Sequence, residues 1–245
     1  CLEGLLESAP QSLFQLFITL KNAEIYSFEM MAKYYISIII SLINLAFALV
    51  SFEFYRYDYE IRKGQYHIKN LKKLSLFSPY GIVLLLFRFC EVSSRMGLLA
   101  CIGYIYSGYS ILLSIGVDWF ISTLILLYHH KKDYINNKQC TTRLLMIIVH
   151  FLNRVLYLPS YWKPFTTGIP GETDIEFSKD NYHFYLKTVN NLVLSGLIIN
   201  HLIDNVYSSS FYIISVASII CFILSIPLIY TIILWNRKTA FSHNN

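Results

Sequence analysis

Residues 211–235 read FYIISVASIICFILSIPLIYTIILW, 25 residues without a formal charge. A helix of that length is about 37 Å long, more than the ~30 Å of hydrocarbon in a bilayer. Two further uncharged stretches follow the same pattern: residues 34–52 (19) and 96–117 (22). The whole chain agrees, with 55% hydrophobic residues and only 14% charged and a mean hydropathy of +0.48. A soluble domain carries about a quarter charged residues. The ~10-residue alternation of a membrane barrel is not seen. The expected fold class is all-α: a polytopic helical membrane protein with full transmembrane helices plus re-entrant or half-inserted ones.

Outward from that stretch, helices are expected near residues 3–20, 33–54, 74–103, 108–128, 142–158, 183–204 and 211–235. Tyrosine, at 20 copies, gathers near segment ends, as an interfacial belt does. The chain opens at Cys1 inside a motif and shows no signal peptide. It is read as a single transmembrane domain, residues 1–245, forming the C-terminal part of a longer one. The five cysteines, Cys1, Cys90, Cys101, Cys140 and Cys221, have no metal-ligand spacing and read as small packing residues.

Basic residues set the expected orientation. The link 55–73 holds Arg56, Arg62, Lys63, Lys69, Lys72 and Lys73 against Asp58 and Glu60. The link 129–143 holds Lys131, Lys132, Lys138 and Arg143 against Asp133. Both are expected in the cytoplasm, and Arg237 and Lys238 place the C-terminus there too. That parity works only if residues 142–158 dip in and return. Arg154, Asn153, His150 and the following Pro159 suit such a re-entrant segment.

The first helix contains LLESAPQSLFQLF, residues 5–17. Glu3, Glu7, Gln11 and Gln15 recur every four residues and share one helical face. Pro10 removes a backbone donor and is expected to break or bend the helix. Such breaks are tolerated at membrane depth only against protein or a wet cavity. Two readings stand: an amphipathic helix lying at the interface, or a polar face turned into the protein. Lipid-surface helices usually carry Lys or Arg on the polar face, and this one carries acids and amides.

The second polar constellation is LFRFCEVSSRMG, residues 86–97. Arg88, Glu91 and Arg95 share a face, and both Arg88–Glu91 and Glu91–Arg95 are spaced to pair along the helix. A charge at the bilayer centre costs ~2.5–3.5 kcal/mol on insertion scales, so this face needs partners or water. It is either a structural ion-pair lock between helices or a charged pathway. Asp118, Arg154, Lys187 and Asp204 are candidate partners, with Asn190 and Asn191 beside Lys187. Catalysis finds no foothold: nucleophile-elbow, zinc-binding and phosphate-loop signatures are missing. Neither enzymatic activity, nor a cofactor, nor a metal site, nor nucleic-acid binding is expected.

These motifs carry a resemblance. LEGLLESAPQSLFQLFITL (residues 2–20) resembles the signature of the XK-related family, an ESAPQ-type motif preceded by a second glutamate. SLINLAFALVSFEFYR (41–56) resembles that family's next helix. RFCEVSSRMGLLACIG (88–103) resembles its arginine-bearing helix, with Arg95 at the matching arginine. GVDWFISTLILLYH (116–129) resembles its His-Trp helix, with Trp119 matching and Asp118 in place of the histidine. YLPSYWKP (157–164) and VNNLVLSGL (189–197) resemble its later aromatic turn and Glu-Asn helix.

The resemblance implies a plasma-membrane protein of full spans and half-inserted helices. It implies ATP-independent phospholipid scrambling, with phosphatidylserine exposure in apoptosis among the family's roles. Glu3, Glu7 and Arg95 would line the headgroup path by resemblance; Glu91 and Arg88 join them by geometry. Gln11, Gln15, Asp118, Arg154, Asn190 and Asn191 would support it. The implied partners are membrane phospholipids and a single-span membrane protein or a lipid-transfer protein. The alternative function is a non-transporting adaptor that docks such a partner; a secondary transporter ranks third. Three departures stand out. Asn190-Asn191 replaces the family's Glu-Asn pair, His150 stands at an aspartate position, and the tail NRKTAFSHNN has no aspartate for a caspase.

Overall fold

The computed structural model describes residues 9–62, 77–129 and 182–241, and among these every regular element is an α-helix. They are α1 (Ala9–Lys21), α2 (Phe28–Arg62), α3 (Pro79–Tyr106), α4 (Gly108–His129), α5 (Tyr182–Asp204) and α6 (Ser209–Phe241). Two are long and apolar enough to cross a membrane, over Phe28–Ser51 and Ser209–Ile232. Glu3, Glu7, Arg154 and the segment 142–158 lie outside the described residues, as do the link 130–143 and most of the link 55–73.

Local chemistry sets the helix ends. Ser78 stands before α3 with an extended backbone, and its hydroxyl accepts from the Gly81 amide; Pro79 fills the first helical position. There a proline's missing N–H is not needed. Hence α3 starts at Pro79 rather than at residue 74 as expected. In α1, Pro10 is the second described residue, and the turn before it, where the expected break would lie, is outside the described residues. Pro227 lies inside α6, and Thr231 donates to its carbonyl at 2.8 Å.

The turn between α3 and α4 depends on Ser107, whose φ of 146° is the one positive value at a non-glycine among the described residues. Such a backbone costs about 1–3 kcal/mol and needs outside support. Ser110 supplies it, its amide and hydroxyl both reaching the Ser107 carbonyl.

α3 is the central element and packs against α1, α2, α4, α5 and α6. Its contact with α6 is intimate: a Cβ added at Gly97 would run into the Ser218 hydroxyl. Cys101 Sγ meets Ser215 Oγ at 3.3 Å on the same seam. Two apolar clusters flank the middle. One joins Leu16 and Leu20 of α1 with Leu98, Ile102, Ile198 and Phe211. The other joins Val50 of α2 with Tyr80, Leu84, Phe87, Ile229 and Ile232. The C-terminal halves of α2 and α6 therefore lie at the same end of the bundle as the start of α3. α4 runs back down from Gly103, with Ile111 beside it and Asp118 at the level of Arg95. α5 rises from that level at Asn191 to His201 beside Tyr106. His129 and Tyr182, the ends facing residues 130–181, thus fall at one end of the bundle.

Polarity is inverted relative to a soluble fold. Ile36 is 59% exposed, Ile213 57% and Leu192 56%, whereas Arg88 is 1%. A surface of that kind is stable against hydrocarbon, not water.

Candidate functional site

α3 carries three charged side chains 9 to 16 residues beyond its start, which places them about 14–24 Å along the helix axis. All three are buried: Arg88, Glu91 and Arg95 are at most 4% exposed. Charges so enclosed are tolerated only when paired and hydrogen-bonded.

The pairing differs in part from the expectation. Arg88 Nη1 donates to Glu91 Oε2 at 2.6 Å, one helical turn away, as the spacing suggested. Arg95 turns to other helices. Its Nη2 donates to Asp118 Oδ2 of α4 at 3.1 Å, and its Nη1 donates to Asn191 Oδ1 of α5 at 3.3 Å. The Asn190 side chain lies against the same guanidinium. In the amide orientation that satisfies both groups, its oxygen accepts at 3.0 and 3.2 Å.

The reason is geometric. Glu91 is bonded to Arg88 a turn below it, and the planar guanidinium of Arg95 offers five donors in a fixed fork. A carboxylate plus two amide oxygens satisfies more of that fork than a shared Glu91 could. Arg95, Asp118, Asn190 and Asn191, all singled out from the sequence, are thus brought together, and they join α3, α4 and α5 at one level. Among the described residues, the charged face of α3 carries a local pair, Arg88–Glu91, and a three-helix clasp around Arg95; Glu3 and Glu7, expected in the same zone, lie outside the described residues.

The glutamine stripe of α1 was expected either to lie at the interface or to turn into the protein. Gln15 Nε2 reaches Ser37 Oγ of α2 at 3.4 Å, and Gln11 is exposed. Ser37 was missed by the sequence reading, and so was the pattern it belongs to. Tyr34, Ser37, Ser41, Asn44 and Ser51 of α2 share one face at heptad-like spacing, a signal available in the sequence. Also missed was the clasp at the other end of α3. There His201 Nε2 lies 3.0 Å from Tyr106 Oη and its Nδ1 lies 3.3 Å from Tyr207 Oη.

Cys90 and Cys101 are buried and unbridged, as a packing role requires. Among the described residues, no group of His, Cys, Asp and Glu could hold a metal ion.

A family model described as XK-related protein matches residues 1–231. No curated protein and no solved structure matches the chain.

Proposed function

This chain belongs to the XK-related family, and from that premise we propose that it scrambles phospholipids without ATP at the plasma membrane. The observation that carries the reading is the ionisable layer inside a bundle with an apolar exterior. Arg88, Glu91, Arg95 and Asp118 are each at most 4% exposed, inside a bundle whose outer surface suits hydrocarbon, where holding charge is costly. The main barrier to lipid flip-flop is dehydration of the headgroup. A polar path already held by protein lowers that barrier without covalent chemistry. Glu3 and Glu7, which lie outside the described residues, are proposed to add acidic groups to this path.

The same reading has the protein cross the membrane several times with both link 55–73 and the C-terminus cytoplasmic. The shared end of α2, α3 and α6 supports this, and the shared level of His129 and Tyr182 supports a re-entrant rather than a spanning 142–158.

Reconstitution of the purified full-length protein into liposomes with a fluorescent phospholipid tests the function. Scrambling predicts that an impermeant quencher bleaches well beyond the outer-leaflet half. Loss of signal limited to the outer leaflet would sink it. The adaptor reading rests on a separate observation, that Arg95 and Asp118 are closed off from the exterior. It predicts no flux, together with co-purification of a single-span or lipid-transfer partner.

A further inference from the structure

We infer that the seam between α1 and α2 is a binding furrow for a phospholipid headgroup, an inference that rests on the scrambling reading but uses none of its charged residues. The two helices run antiparallel, with Gln15 meeting Ser37. In that register Gln11, one turn before Gln15, falls level with Ser41, one turn beyond Ser37. Thr19, one turn the other way, falls near Tyr34. At the mouth, Asn22 Nδ2 donates to Tyr26 Oη at 3.1 Å, and the Tyr26 and Tyr34 rings stack with centroids 5.1 Å apart. From Tyr34 to Asn44 the polar face covers about 15 Å, half of the hydrocarbon thickness.

Three observations point to an occupant. Asn44 is exposed inside the Phe28–Ser51 span, one of the two long enough to cross the membrane. An amide facing bare hydrocarbon is costly, so its natural surroundings are polar. Thr19 is 0% exposed, and its hydroxyl has no hydrogen-bond partner. The Gln15 carbonyl oxygen, one turn away on the same face, is likewise buried without a partner.

The chemistry fits an amphiphile. Gln15 Nε2 and the hydroxyls of Ser37 and Ser41 can donate to a phosphate. Amide oxygens and the faces of Tyr26 and Tyr34 can receive an ammonium group. Beside the polar face, Ile36, Ile40 and Phe47 of α2 and Phe14 of α1 are 39–64% exposed and offer the acyl chains an apolar wall. A membrane helix of another protein needs the apolar wall but not unfilled donors and acceptors along the floor.

Two measurements on the full-length protein test this. The first is scrambling in phosphatidylcholine vesicles. Asn44→Leu slows flux about tenfold or more with unchanged folding, Asn44→Gln restores it, and Ile39→Leu has no effect. Wild-type flux in Asn44→Leu overturns the furrow and leaves scrambling intact. The second does not depend on flux. A cysteine at position 44 reacts with a water-soluble, membrane-impermeant thiol reagent, one at Ile39 does not, and dihexanoyl-phosphatidylcholine slows the reaction at 44. If wild-type flux is zero, the scrambling reading fails, and protection at 44 still supports the headgroup site. An inert cysteine at 44, a lack of protection, or a 44–44 disulfide dimer overturns it in favour of bare lipid contact or a protein neighbour.

Discussion

The clasp around Arg95 and the furrow between α1 and α2 solve the same problem in opposite ways. Both put polar atoms at membrane depth. The clasp is closed and charged: Arg95 and Asp118 are 3% and 2% exposed and bonded across three helices. The furrow is neutral and only partly covered, with Gln11 and Asn44 at the surface and a long bond from Gln15 to Ser37. The difference follows from energetics. A bare ion in hydrocarbon is far too costly, so the fold itself must satisfy it. Neutral amides and hydroxyls cost much less and can be left for a ligand to complete. In this molecule charge is therefore satisfied between helices inside the bundle, and neutral polarity is what lies at its lipid boundary.

Removing a partner from the clasp is the strongest way to break that contrast. Asp118→Leu removes a carboxylate from the buried Arg95 guanidinium and should cost about 3–5 kcal/mol. It should appear as loss of monodisperse protein in detergent and a large drop in melting temperature. If Asp118→Leu melts like wild type, the clasp is not a structural lock, and the charged layer is freer to serve as a path.

The next effect concerns the seam that supports the clasp from behind. Gly97→Val forces a branched side chain into Ser218, which lies on the opposing helix. Overpacking of this kind costs about 1–3 kcal/mol. The double variant Gly97→Ala, Ser218→Ala should recover part of it, because the two sites share one contact. Melting curves of the single and double variants check this.

The smallest effect belongs to the furrow. Ser37→Ala removes a hydrogen bond of the neutral, part-buried kind, worth about 0.6 kcal/mol between membrane helices. Its melting temperature should stay close to that of wild type while scrambling falls. A fall in stability as large as that of Asp118→Leu would erase the distinction between the two regions.

Several features were legible in the chain itself. Uninterrupted apolar stretches such as 34–52 and 211–235 determined helices α2 and α6, because a helix is the simplest way to satisfy every backbone group in hydrocarbon. The spacing of Arg88, Glu91 and Arg95 determined that they share a face, since 3.6 residues per turn leaves no other arrangement. It also determined the Arg88–Glu91 pair, a contact within one turn.

What the sequence could not decide is which of several adequate partners Arg95 would take. Glu91 is one turn from Arg95, while Asp118 is 23 positions away and Asn191 is 96. Local spacing favours the first. Packing of α4 and α5 against α3 brings the other two within reach, and together they fill more of the guanidinium fork. The glutamine stripe of α1 is a parallel case. Its face was readable from the four-residue repeat, but that it meets Ser37 of α2 depends on how two helices turn relative to each other. That rotation is set by side-chain packing across the whole interface, which no short stretch of sequence contains.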